Sequence, residues 1–158
     1  MLLIFISWFY IFITSINLGF CSNKIVSIKN HNFVITSFLG LLSTTLLASI
    51  WAIFGRINIE FHSVLLILNL IIFFKFRSEI KLIYNSFYQE FKNLNATLKF
   101  FFFAITTLII AQCSSIPYVI DNESYYIQTI KWLNEYGFVK GLGNLHIFYA
   151  QTSGWHIA

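Results

Sequence analysis

Charge is what this sequence has least of. Only 10% of its 158 residues are Asp, Glu, Lys or Arg, and six of these are acidic. That is well below the share a soluble globular domain carries on its surface. With 58% hydrophobic residues and a mean hydropathy of +0.74, the chain is predicted to reside in a lipid bilayer. Proline occurs once, at Pro117, so little else interrupts a helical reading. Cysteine occurs twice, at Cys21 and Cys113, near the ends of different apolar runs and without a Cys/His spacing; neither a disulfide framework nor a zinc site is expected. No Lys or Arg precedes the first apolar run, so the basic region of a secretory signal is missing and that run is read as a retained helix. The ten basic residues are scattered between apolar spans and form no stripe, which argues against a nucleic-acid partner.

What is abundant is long apolar sequence. Crossing a hydrocarbon core of about 30 Å takes roughly 20 helical residues. Four stretches approach that length, at about 2–20, 33–54, 61–76 and 98–120, predicting an all-α, polytopic helical membrane protein with one membrane domain over 1–158 and a polar tail at 121–158. The third is short and holds the polar His62 and Asn69, so little tilt or a locally thinned bilayer is expected there. Phenylalanine occurs 19 times, a composition that serves against lipid as well as leucine does and carries no function by itself.

Seven of the ten basic residues (Lys24, Lys29, Lys75, Arg77, Lys81, Lys92 and Lys99) fall in or beside the first and third connections. The positive-inside rule makes those connections cytoplasmic and the tail extracytoplasmic. In the third connection Ile80, Ile83, Phe87, Phe91, Leu94 and Leu98 recur every three or four residues, the pattern of an amphipathic helix on the membrane surface.

The tail holds the only run that reads like an enzyme surface, "DNESYYIQTIKWLNEYGFVKGLGNLH" at 121–146. Residues 122–136 are expected to form an interfacial helix. Tyr126, Ile130 and Leu133 fall on one face, Trp132 and Tyr136 lie at headgroup level, and Gly137 sits just past its end, where a positive φ is common. Gly141 and Gly143 predict a turn. Asp121 and Glu123 stand two apart, just past a span. One carboxylate could act as general base while the other holds a cation, or the pair could cap a helix N-terminus. His146 and His156 could join them around a metal, although no fixed ligand spacing supports this.

The run "SYYIQTIKWLNEYGFVKGLGNLH" and the later "SGWH" at 153–156, with "ASIWAIFGRINIEFH" at 48–62, resemble segments of large polytopic bacterial proteins of the Bacteroidetes type. Those proteins are akin to the GT-C superfamily, glycosyltransferases that take a sugar from a polyprenyl-phosphate carrier. The resemblance implies that this chain is the N-terminal fragment of such an enzyme, transferring a sugar from a lipid-phosphate donor to an envelope glycan or lipid. Asp121 would be the catalytic base and Glu123 its second acid, with Asn144 and His146 binding substrate. It implies as partners the lipid bilayer and a polyprenyl-phosphate sugar, and as cofactor at most a divalent cation. The chain departs from the pattern at Tyr126, where relatives carry His, and at 146–148, where they carry "HGR". The other reading is a non-enzymatic membrane subunit or assembly factor.

Overall fold

A computed structural model describes residues 2–28, 32–114 and 126–141. All secondary structure among them is helical: α1 (Leu2–Ile25), α2 (Phe33–Phe54), α3 (Ile59–Lys75), α4 (Arg77–Asn93), α5 (Ala96–Ser114) and α6 (Ile127–Tyr136). By length and apolarity α1, α2 and α5 can each cross a membrane, and α3 with α4, bent by 92° at the break between them, can form a fourth, broken span.

The helix ends follow local chemistry. Asn32 caps α2, its side chain accepting from the amides of Val34 and Ile35. Asn58 caps α3 by accepting from Glu60 N–H, and Glu60 in that first turn suits the helix dipole. Arg56 pairs with Glu60, and this hydrogen bond, followed by the carboxylate's charge, raises the guanidinium pKa above its ordinary value. α1 runs five residues past its apolar stretch because Cys21–Ile25 contains no helix breaker. It ends where Ser27 takes a φ of 61°, with Ile28 N–H donating to Asn23 O and Ser27 N–H to Lys24 O. These two bonds close the helix as a Schellman motif, with serine in the place glycine usually holds.

α1 and α2 meet through small residues. A Cβ on Gly19 would lie 1.8 Å from Thr36 O, and one on Gly40 would lie 1.7 Å from Ser15 O, so the two backbones approach more closely than any larger residue allows. Ser22 and Ser43 hydroxyls meet at 2.6 Å and Asn23 Nδ2 donates to Thr36 Oγ1 at 2.8 Å, adding polar contacts beside that approach.

α1 and α3 lie side by side and point the same way, because Tyr10 meets His62 and Asn17 meets Asn69 at one constant separation of 52 residues. Two helices joined through one intervening span are expected to be parallel. His62 and Asn69, which stood out as polar residues in a short span, therefore each have a partner on α1. Asn69 Nδ2 also donates to Thr14 Oγ1 and Leu65 O, making a buried Thr14, Asn17, Asn69 cluster.

α4 carries the expected apolar stripe, with Ile80 and Ile83 buried in the bundle core. Tyr84 meets the Phe12 ring and Phe87 stacks on Phe33 at 4.0 Å, so the same face bridges α1 and α2. The stripe read from sequence runs too far: Leu94 is the C-cap of α4 and Leu98 belongs to α5. Spacing alone carried the pattern across a helix boundary made by Leu94 in extended conformation. α5 buries none of its residues within the described chain and touches α4 through Phe91 against Phe102 and Phe103.

Candidate functional site

Asp121, Glu123, Asn144 and His146, the candidate catalytic and substrate-binding residues, lie outside the described residues, as do Gly143 and His156. The structure instead describes the helix that follows the acidic pair and how it is held. α6 begins at Ile127, after a single π-type residue at Tyr126; the first part of the expected helix, 122–125, is outside the described residues.

α6 is fastened to the connection between α2 and α3 by main-chain hydrogen bonds. Ile57 N–H donates to Leu133 O and Phe138 N–H donates to Ala52 O, each at 2.8 Å. Ala52 stands in the last turn of α2, where carbonyls have no partner within the helix, so the tail satisfies one of them. Gly137 makes this possible. Its φ of 75° and ψ of −145° fall in a region open essentially to glycine, and a Cβ there would lie 2.3 Å from Gly55 O and 2.6 Å from Ala52 O. Trp51 Nε1 donates to Arg56 O at 3.1 Å and steadies the same connection. Gly141, expected in a turn, has a φ of 86°.

Part of the expected stripe is turned into the protein. Leu133 and Thr129 are buried, Tyr126 is half-buried, and Ile130 is 53% exposed. The reason is the clamp: bonds at Leu133 O and Phe138 N–H, on either side of Gly137, fix the rotation of the helix. Tyr136 is exposed and Trp132 half-buried. With Phe138, Val139 and Lys140 they line an open hollow of about 540 Å³.

A second concavity runs along the bundle. α1, α3 and α4 enclose an apolar groove of about 790 Å³ that includes Ile6, Ile13, Leu70, Phe73, Lys81 and Tyr84 in its lining. The polar cluster of Thr14, Asn17 and Asn69 lies at its side. Asn17 is 1% exposed and its Oδ1 has no hydrogen-bond partner, as is also true of Asn23 Oδ1. Neither Asn17 nor Asn23 stood out in the sequence, because an asparagine inside an apolar run shows its partner only after folding. Among the described residues no three His, Cys, Asp or Glu side chains gather closely enough to hold a metal ion.

The architecture is that of a polytopic helical membrane protein. The chain belongs to the DUF8201 family, described as a domain of unknown function, whose model matches residues 1–158. No curated protein and no solved structure matches it.

Proposed function

We propose that this chain is the membrane part of a GT-C-like glycosyltransferase acting on a lipid-phosphate sugar donor, with Asp121 as the base that takes the proton from the acceptor hydroxyl. Glu123 assists by holding a divalent cation or the acceptor, and Asn144 and His146 contact substrate. The observation that supports this reading is the clamp on α6. Six residues after Asp121 the chain enters a helix held by two main-chain bonds, one from Ile57 in the α2–α3 connection and one to Ala52 at the end of α2. A catalytic carboxylate is useful only if its position is set before substrate arrives, and a rigid mount close in sequence supplies that constraint. The aromatic residues Trp132 and Tyr136 suit a helix at headgroup depth, where a lipid-linked sugar is presented.

The orientation this reading needs has the tail outside an inner membrane and Asn85 inside. The test of function is Asp121→Asn in cells that make the protein, with envelope glycans and lipid-linked sugars compared by mass spectrometry. Loss of one glycan or accumulation of one sugar donor, at unchanged protein level, is the expected result. Unchanged profiles in Asp121→Asn and in Glu123→Gln would remove the catalytic reading. They would favour a non-enzymatic membrane subunit, for which α5, with no residue buried in the described chain, offers a contact surface.

A further inference from the structure

The groove between α1, α3 and α4 has features that a merely incidental gap between helices lacks. It follows the parallel pair α1 and α3. Its lining on α1 extends from Ile6 to Asn17, about 16 Å at the helical rise per residue. That is about half of a hydrocarbon core of roughly 30 Å, the depth of one leaflet. Its walls are aliphatic and aromatic, and only one charged residue, Lys81, is in its lining.

Lys81 and Tyr84 lie three apart on α4, on one helical face, and both line this groove. Among the described acids, Glu60 is paired with Arg56 and Glu79 with Lys24, and Lys81 is in neither ion pair. Among the described residues no hydrogen bond engages the Tyr84 hydroxyl, whose ring is packed on Phe12. An ammonium and a phenol O–H without partners among the described residues, at an apolar slot one leaflet deep, match an anion carried on a hydrocarbon chain.

We propose that the groove holds one anionic diacyl phospholipid as a resident lipid, an acyl chain lying between α1 and α3 and its phosphate on Lys81 and Tyr84. This site is separate from the α6 mount. Its lining shares no residue with the contacts that hold α6, which are made at Ala52, Gly55, Ile57, Leu133, Gly137 and Phe138. The occupant is thus a structural lipid and not the sugar donor, and the proposal stands or falls without reference to Asp121.

The experiment uses the purified full chain in phosphatidylcholine vesicles containing spin-labelled phosphatidylglycerol or spin-labelled phosphatidylcholine. Electron spin resonance reads the motionally restricted fraction of each. Wild type is expected to restrict the anionic lipid roughly fivefold more strongly, the preference one well-placed lysine provides. Lys81→Met should abolish that preference, Lys81→Arg should retain it, and Lys92→Met, on the far end of α4, should leave it intact. Equal restriction of the two lipids by wild type, or an unchanged preference in Lys81→Met, overturns the proposal. So does an equal loss in Lys92→Met, which would mean diffuse surface charge. Displacement of the labelled lipid by a polyprenyl phosphate, but not by unlabelled phosphatidylglycerol, also overturns it and assigns the groove to a carrier lipid.

Discussion

Gly137 lies against Gly55 so closely that a Cβ on the first would be 2.3 Å from the carbonyl oxygen of the second. This contact fastens the polar tail to the membrane bundle, and it depends on hydrogen replacing a side chain. Gly137→Ala is therefore expected to release α6. The φ of 75° alone costs a non-glycine residue about 1–3 kcal/mol, before the clash is counted. A cysteine placed at the buried Thr129 should react slowly with a thiol reagent in detergent and quickly when Gly137→Ala is added. Equal rates would show that α6 is held by something other than this turn.

The clamp also makes a distinction within α6. Leu133 is 3% exposed and Ile130 53% exposed. Leu133→Ala should lower the stability of the docked tail by about 2–5 kcal/mol, the usual range for a buried leucine, and Ile130→Ala by much less. Limited proteolysis in detergent would rank the two variants. The reverse order would mean that α6 is rotated so that Ile130, and not Leu133, is the buried anchor.

Close approach of α1 and α2 leads to a second steric prediction. Gly40→Val must push α2 from Ser15, whose carbonyl oxygen would be 1.7 Å from the new Cβ. Overpacking costs about 1–3 kcal/mol even where a core can adjust, and here the obstacle is backbone. Thermal unfolding in detergent should fall markedly for Gly40→Val, while Ser37→Ala, which removes only a hydroxyl bonded within its own helix, should change little.

Asn17 and Asn69 should behave as a coupled pair. Asn69→Leu removes the shorter of the two bonds from Asn17 Nδ2, that to Oδ1 at 3.1 Å, and leaves it only the main-chain oxygen at 3.4 Å, in an interior where Asn17 Oδ1 already has no partner. Interhelical bonds of this kind contribute about 0.6–1.7 kcal/mol in membranes. The double variant Asn17→Leu with Asn69→Leu is expected to lose less stability than the two single changes added together, since removing both partners leaves fewer polar atoms unsatisfied. Simple additivity in a chemical denaturation cycle would mean that the two side chains do not meet.

At the α3–α4 break, Lys24 Nζ lies 3.0 Å from Glu79 and 4.0 Å from the centre of the Phe76 ring. Both partners of the ion pair are more than a third exposed, so Glu79→Gln should cost under about 1 kcal/mol. Lys24→Met loses the contact with Phe76 as well and should cost more, and its effect should persist at high salt better than that of Glu79→Gln. Denaturation of the two variants at low and high ionic strength separates the contributions.

Much of the architecture was legible before folding, because a bilayer imposes a coarse rule that composition alone can meet. The stretch 33–54 was read with the bounds α2 has, and Gly137 and Gly141 were placed where positive φ is found. The amphipathic spacing of Ile80 and Ile83 announced a buried face on α4. What the sequence could not determine is which polar atoms meet across helices. Asn17 and Asn69 are 52 positions apart, and Ala52 and Phe138 further still, so their bonds exist only once the helices have set a common register. The rotation of α6 was decided in the same way: the stripe of Tyr126, Ile130 and Leu133 could meet either the membrane or the bundle, and main-chain bonds at Leu133 and Phe138, with the space left by Gly137, set Leu133 and Thr129 inward and left Ile130 exposed. Local periodicity encodes that a helix has a face to bury; only the neighbouring backbone decides which face it is.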